Sequence, residues 1–347
     1  MAHSIHGIDL QLDERLVDLV ATSFTVDEGL FIDGNGNPWL FYSAREFESW
    51  WLLFEEKISA PMGRRLANCM VDEESWQISQ EDIFAVSGLF KGKKRIQALQ
   101  KRWECRGWGQ PDLQNLSVNN RLITPFSAGC LHAAAESLSV GRLRMRWQEQ
   151  GKDFCDLILE PTGDDKPRII PPPTREWDLN AHSTGNTPLQ LELMKGYEVE
   201  GERHCLLPAG LFSRLLDACA GLNTIHTKEN WQIEGEGYLD GFIAMAEAQK
   251  QVFLDSEQHV LIAEPEHWLS VYENLFSTKG FGKAISVKEI DRNGGVELTF
   301  EHLPFAALTG GMLAGAWQRA QGRPVKLSLK GIKGSWCIEL SSLHQLA

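Results

Sequence analysis

The stretch "GRLRMRWQEQGKDFCDLIL", residues 141–159, has the pattern of a β-hairpin. In its first run apolar residues alternate with arginines, which puts Leu143 and Trp147 on one face of a strand. Gly151 marks the turn before the second run. Near the C-terminus, "GRPVKLSLKGIKGSWCIEL" at residues 322–340 has the same length and the same opening Gly-Arg pair. The chain therefore carries one hairpin pattern twice.

The repeat extends upstream of the two hairpins. Each hairpin follows a helix rich in small residues that starts at a Pro-Phe pair, Pro125-Phe126 in one copy and Pro304-Phe305 in the other. Earlier in each copy a β-run enters an aromatic helix, at residues 39–56 and 260–276. This shared order predicts an α+β fold of two duplicated modules, each a small antiparallel sheet covered by helices. Two such modules can bury a self-complementary surface against each other.

Composition indicates where the modules begin and end. We expect module 1 at residues 1–161, with an apparent insertion around residues 74–118, and module 2 at residues 189–347. Between them, residues 162–188 are rich in proline, glycine and short polar residues. They include the run Pro171–Pro173, which predicts a linker with a polyproline element.

Local signals place further elements. The turn at Asp33–Gly36 lies between two apolar runs and predicts a second kind of hairpin. Ser43 is expected to cap the first aromatic helix, and Thr124, which precedes a proline, to cap the first small-residue helix. Alternating patterns predict strands at residues 189–202 and 295–300.

The bulk composition is that of a globular protein. The chain has 347 residues, of which 43% are hydrophobic, so both modules can bury a core. A net charge of −13 argues against a broad nucleic-acid surface, and the basic run Lys91–Arg95 is expected to be a solvated face. We find neither a signal peptide nor an apolar stretch of membrane-spanning length, which predicts a cytoplasmic protein without a membrane span.

Glycine and alanine are concentrated in the two small-residue helices, around Gly129 and Gly311. A helical glycine costs roughly 0.5–1 kcal/mol relative to alanine, so these residues need a compensating close approach. A sheet, another helix or a ligand would supply it, and we expect a sheet. Seven scattered cysteines without a CxxC motif indicate reduced, buried thiols, Cys130 among them.

The sequence contains no recognisable catalytic or nucleotide-binding motif. His132 and Glu136 are four residues apart on a helix, where they could be two metal ligands or, as we expect, a surface hydrogen bond. His259, His267 and His302 form a loose group in module 2. We predict no catalytic residue, no metal and no cofactor.

The paired pattern F-x-x-G-x-L, G-R-x-x-x-R and G-x-x-x-C resembles the end of the 4-vinyl-reductase-type domain, which is related in fold to small subunits of the TRAPP tethering complex. The matching residues of the first copy are Phe126, Gly129, Leu131, Gly141, Arg142, Arg146, Gly151 and Cys155. Those of the second copy are Phe305, Gly311, Leu313, Gly322, Arg323 and Cys337. The second copy departs from the pattern because no second arginine follows Arg323.

The resemblance implies a compact α/β domain, often dimeric, with an apolar pocket. Some members carry a cysteine-rich zinc site near this hairpin. Only Cys155 and Cys337 are present here, too few for a thiolate site of four ligands, so we do not expect that site.

These inferences lead to a non-catalytic protein that is a sensor of a small apolar ligand or an adaptor. The alternative is a structural subunit that contacts other protein subunits, and the resemblance alone implies a third reading, an enzyme acting on a tetrapyrrole or a similar substrate. The residues expected to line the pocket, for which core packing is the alternative, are Trp50, Trp51, Phe54, Phe126, Trp268 and Phe305. The expected interaction surface is Arg142, Arg144 and Arg146. On the equivalent face the second copy has Lys326, Ser328 and Lys330.

Overall fold

A computed structural model of the protein describes residues 11–82, 90–178, 182, 185–224, 228–234, 239–332 and 334–344. Over these residues the fold is mixed α+β, with largely antiparallel sheets covered by helices, as predicted. The helices are α1 (Glu14–Ser23), α2 (Ala44–Ile58), α3 (Gly63–Gln80), α4 (Lys91–Arg106), α5 (Thr124–Leu138), α6 (Ala209–Ala218), α7 (Leu239–Asp255), α8 (His267–Leu275) and α9 (Ala306–Gln321). The strands are β1 (Phe24–Asp27), β2 (Leu30–Asp33), β3 (Pro38–Ser43), β4 (Gln110–Asp112), β5 (Ser117–Asn119), β6 (Leu143–Glu149), β7 (Phe154–Pro161), β8 (Thr187–Pro188), β9 (Glu198–Val199), β10 (Glu202–Pro208), β11 (Trp231–Ile233), β12 (Ser286–Glu289), β13 (Val296–Phe300), β14 (Val325–Ile332) and β15 (Ser335–Ser342).

The strands form three sheets. The first has the order β8-β1-β2-β3-β10-β9 and therefore contains strands from both halves of the chain. At its centre β3 pairs antiparallel with β10, and the register places Trp39 opposite Pro208 and Ser43 opposite His204. The second sheet is β11-β14-β15-β13-β12 and the third is β4-β5-β7-β6. Both predicted closing hairpins are present, as β6-β7 and β14-β15.

One carboxylate holds the β2–β3 turn. Asp33 accepts hydrogen bonds from the backbone N–H of Asn35 at 2.9 Å and of Asn37 at 3.0 Å. It also accepts the indole N–H of Trp39 at 3.0 Å, which ties the turn to the first residues of β3. The Asp-Gly-Asn-Gly signal therefore predicted this hairpin correctly.

Two helices cross between the halves of the chain. Helix α2 packs on α7, and α6 packs on α3. Trp50 of α2 donates its indole N–H to the carbonyl oxygen of Met245 in α7 at 3.2 Å. Arg214 of α6 donates to the carboxylate of Glu73 in α3 at 3.0 Å, and both side chains are buried. Each half therefore supplies part of the packing surface of the other.

The halves share a sequence of elements, although not the one expected. In both, a strand of the first sheet leads into two helices, β3-α2-α3 and β10-α6-α7, although β11 lies between α6 and α7. In both, a later sheet has the same strand order, β4-β5-β7-β6 and β12-β13-β15-β14. By this order α2 corresponds to α6, whereas the sequence pattern had matched it with α8. The internal duplication itself remains a prediction.

One predicted strand is largely wrong and another is wrong. Residues 189–197 contain no strand: Leu193 and Met194 are both buried, so burial does not alternate, and the chain turns at residues 195–197 before β9. Residues 260–263 also lie outside the sheets. The predicted strand near residues 295–300, in contrast, is confirmed as β13.

One helix cap is confirmed and one is wrong. The Ser43 side chain accepts the N–H of Glu46 at the start of α2, as expected. Thr124 is the first residue of α5, so Ile123 takes the N-cap position and makes no side-chain hydrogen bond there.

The segment expected as a linker packs on the rest of the protein near its end. Within residues 162–188, Trp177 lies in a short 3₁₀ helix at Glu176–Asp178 and is 2% exposed. Its ring makes edge-to-face contacts with Phe242 at 5.5 Å and Trp336 at 6.1 Å between centroids. Strand β8, at the end of the segment, pairs with β1. The division of the chain into two modules stays a prediction.

The small-residue helices pack against other helices. Helix α5 lies so close to α3 that a Cβ on Gly129 would be 2.5 Å from the carbonyl oxygen of Ala67. In the same way, a Cβ on Gly311 of α9 would be 2.3 Å from the carbonyl oxygen of Ala246 in α7. A helix partner, instead of the sheet we expected, therefore accounts for both glycines.

Adjacent glycines of α9 provide a test of this packing. Gly311→Ala should lower the free energy of unfolding by about 1–3 kcal/mol, because the new methyl group meets backbone of α7. Gly310→Ala should leave it unchanged or raise it by up to about 1 kcal/mol, because its Cβ would lie 3.5 Å from the Leu327 side chain and helix propensity improves. Urea denaturation measures both, and equal effects of the two substitutions would contradict the close approach.

Candidate functional site

The six aromatic residues expected to line an apolar pocket are buried in the core. These residues are Trp50, Trp51, Phe54, Phe126, Trp268 and Phe305. The Trp50 ring stacks on Phe47 and Phe54, and Phe212 meets it edge-on at 5.6 Å. None of the six lines either of the two cavities described below. The structure therefore gives them a packing role, the alternative that their sequence pattern left open.

Two of the three arginines expected at an interaction surface, Arg142 and Arg144, border a groove of about 410 Å³. This β6 groove runs beside strand β6, and its walls are Arg64, Asn68, His132, Arg142, Leu143, Arg144, Met145, Thr162 and Asp164. Arg142, Arg144 and Arg146 are all exposed. Met145 points into the core on the face of β6 opposite the arginines, as the alternation in the sequence predicted.

Strand β6 is an edge strand, and side chains occupy the first part of its outer edge. The N–H of Leu143 donates to Glu136 at 2.8 Å, and its carbonyl oxygen accepts from His132 Nε2 at 3.1 Å. Arg64 donates to the carbonyl oxygen of Met145 at 3.0 Å. His132 and Glu136 are therefore a largely buried pair that binds strand backbone, instead of the surface pair we expected.

This contact determines which ring nitrogen of His132 carries the proton. Because its Nε2 faces the carbonyl oxygen of Leu143, Nε2 carries the proton and Nδ1 does not. Burial lowers the pKa of His132, although the nearby Glu136 carboxylate raises it. The neutral imidazole is thus favoured, and its buried Nδ1 makes no hydrogen bond within the described residues.

The second part of the same edge is open. The pairing of β6 with β7 turns the backbone groups of odd-numbered residues away from β7. In the described part of the chain, no hydrogen bond reaches the outward N–H of Met145 or the N–H and C=O of Trp147. The guanidinium of Arg64 lies over the Trp147 ring at 4.4 Å and leaves that backbone edge uncovered.

The corresponding edge of the second sheet is covered. There strand β11 pairs in parallel with β14, with Trp231 opposite Leu327 and Ile233 opposite Leu329. Glu234 continues this pairing: its N–H donates to the Leu329 carbonyl oxygen and its carboxylate accepts the N–H of Gly331. Two sheets of the same strand order thus differ in one added strand.

The β6 groove is locally positive in an acidic protein. Arg64, Arg142 and Arg144 face it, and Asp164 is its one carboxylate among the described residues. Arg146, further along the strand, forms an ion pair with Glu160 of β7. Because the protein has a net charge of −13, the groove is a distinct cationic site. The basic residues at the start of α4 lie instead on a largely exposed face, as predicted.

A second cavity, of about 650 Å³, lies between α1, α4 and the chain before β10. Its charged walls are Asp13, Arg15, Lys101, Glu104, Lys195 and Arg203, and the buried side chains of Trp103 and Tyr197 also border it. Arg15 pairs with Glu104. Arg203 donates to Asn120 and to two backbone carbonyl oxygens, and burial lowers its pKa. We call this cavity the α1–α4 cleft.

The histidines group differently from the prediction. His302 does not lie with His259 and His267; it lies beside His182 and Asp178, with the two imidazole centroids 4.9 Å apart. One donor atom from each of these three residues lies within 4.8 Å of the others, an arrangement that could hold a metal ion. His267 instead accepts a backbone N–H at the start of α8.

All seven cysteines are buried and free, as predicted. Burial raises the pKa of Cys155 to about 11 and that of Cys205 to about 12. It also raises the pKa of Cys130, which favours the protonated thiol over the nucleophilic thiolate. A packed thiol, expected for Cys130, fits this environment.

Raised thiol pKa values make stability depend on alkaline pH. Between pH 9 and 12 the unfolded chain releases thiol protons that the folded protein retains, so the free energy of unfolding should fall. The loss is up to about 1.4 kcal/mol per thiol per pH unit. In urea denaturation at pH 8, 9 and 10, Cys205→Ala should show a shallower fall than wild type. Parallel pH profiles of the two proteins would contradict this.

No family model, curated protein or solved structure matches this chain. The resemblance to 4-vinyl-reductase-type domains therefore stays a prediction. Among the described residues, no helix has both the length and the apolar character needed to cross a bilayer.

Proposed function

We propose that the protein is a non-catalytic adaptor that binds an extended acidic segment of a partner protein along the open edge of β6. One observation carries the proposal: the same edge of the second sheet is completed by an added strand, β11. An edge with unpaired N–H and C=O groups is the template that strand addition uses.

The chemistry of the partner segment follows from the side chains of β6. Residues on one face of neighbouring strands lie about 4.5–5.5 Å apart at Cβ, so an added strand presents alternate side chains to Arg144 and Arg146. Carboxylates at alternate positions of that segment would pair with these arginines and with Arg142 in the β6 groove. Such charges add selectivity for acidic partners and speed their association.

A labelled eight-residue peptide that alternates glutamate with valine tests this function. We expect wild-type protein to raise its fluorescence anisotropy, and Arg144→Glu with Arg146→Glu to weaken binding by at least about tenfold at low salt. Lys326→Glu, on strand β14 whose edge is filled, is the matched control and should not change the affinity.

Two peptide variants separate strand addition from simple charge attraction. N-methylation of alternate residues on one edge keeps the charges and removes the backbone donors, so it should abolish binding. The peptide with lysine in place of glutamate should bind at least about tenfold more weakly. Equal binding of all three peptides, or tighter binding of a DNA duplex than of the glutamate peptide, would refute the proposal.

The α1–α4 cleft favours a second function, the binding of a small organic anion. Its volume lies within the range of about 300–1,000 Å³ typical of ligand sites. Lys101 and Lys195 are exposed on its walls, and the buried side chains of Trp103 and Tyr197 also border it. A sensor on this basis would recognise an organic carboxylate in this cleft, not an apolar ligand between aromatic helices.

Thermal unfolding with benzoate, indole-3-acetate and coproporphyrin tests the cleft. At least one of these compounds should raise the midpoint temperature, because a ligand of the folded state stabilises it by mass action. Lys101→Glu with Lys195→Glu should reduce that shift, whereas Lys93→Glu with Lys94→Glu, exposed on α4 outside the cleft, should not. No shift with any of the three compounds would exclude this second function for their class.

A further inference from the structure

The segment between β7 and β8 and the loop between β13 and α9 meet at a cluster of three metal-binding residue types. Asp178 and His182 lie on the segment, and His302 lies on the loop. The two backbones are tied together beside the cluster, because the N–H of Leu303 donates to the carbonyl oxygen of Trp177 at 3.1 Å. The buried Trp177 ring holds Glu176–Asp178 against the core.

The spacing of the donor atoms fits a small divalent ion. His182 Nε2 lies 3.0 Å from Asp178 Oδ1, and His302 Nδ1 lies 3.9 Å from the same oxygen. Tetrahedral ligands at the usual zinc bond lengths of about 2.0–2.1 Å are about 3.3 Å apart. The observed separations lie on either side of that value, so modest side-chain rotations suffice.

Two polar atoms of the cluster lack a hydrogen bond. His182 Nε2 donates to Asp178 Oδ2 at 3.1 Å, whereas Asp178 Oδ1 and His302 Nδ1 are both removed from solvent and make no hydrogen bond within the described part of the chain. A buried polar atom without a partner destabilises the fold, because it has lost its hydrogen bond to water. Both atoms belong to residue types that ligate metals, and they are neighbours. An ion bound between them would satisfy both at once.

We propose that Asp178, His182 and His302 bind a divalent transition-metal ion of the zinc class. Two imidazoles select such an ion over magnesium or calcium, which prefer oxygen ligands. Three protein ligands leave a fourth tetrahedral position for water or another donor. Because the ligands come from two segments about 120 residues apart, the bound ion clamps the segment before β8 to the loop before α9.

Cobalt serves as the spectroscopic probe for this site. Untagged protein should bind one equivalent of Co²⁺ with the intense visible bands of a four-coordinate ion, and Zn²⁺ should displace it. His182→Asn and His302→Asn should each weaken Co²⁺ affinity by at least about 10- to 100-fold. His344→Asn, which removes an exposed histidine outside the cluster, is the control and should bind as wild type does.

A stability measurement distinguishes the loss of metal binding from misfolding of a variant. At a free Zn²⁺ concentration of 100 times the dissociation constant, the folding equilibrium constant of wild type should rise about 100-fold, and His302→Asn should lose this gain while keeping its metal-free stability. Absence of Co²⁺ binding to wild type would overturn the site. Binding that survives both His182→Asn and His302→Asn would overturn it too.

Discussion

The antiparallel pairing of β3 with β10 is the contact on which the rest of the structure depends. It joins Trp39–Ser43 to residues 204–208, about 160 residues further along the chain. Each strand leads directly into a helix that packs on the opposite half, α2 on α7 and α6 on α3. The ladder therefore sets the position of both crossing helices. Strand β10 is also held by Trp108, which donates its indole N–H to the carbonyl oxygen of Leu206 at 2.7 Å.

Local structure was predictable where a single residue type or period determines it. The hairpins followed from alternation and turn residues, the start of α2 from Ser43, and the close helix approaches from glycines such as Gly311. The element that makes each close approach was not predictable, because Gly311 indicates only that another part of the protein lies close to its helix. The pairing of β3 with β10 was equally hidden, since long-range register depends on how the two halves meet in space.

The candidate sites show the same division. An alternating strand predicted the arginine face of β6, but not that β6 is an edge strand or that the corresponding edge of β14 is filled by β11. Residues Trp50 and Phe305 illustrate the opposite case, in which a pattern compatible with a pocket belongs to the core. The cluster around His302 had no local signal, because Asp178 and His182 lie on a segment whose composition indicated only a linker. Histidine spacing along one chain segment was therefore the wrong guide.

The crossing of α2 and α6 also has a consequence for the order in which the chain acquires structure during synthesis. When α2 leaves the ribosome, its partner helix α7 is still about 200 residues from completion. At typical rates of 5–20 residues per second, the apolar face that carries Trp50 waits on the order of 10–40 s before α7 can cover it. The first half of the protein is thus a nascent chain with an uncovered apolar face and an unpaired strand. Whatever covers this apolar face during that interval is not a contact of the folded protein.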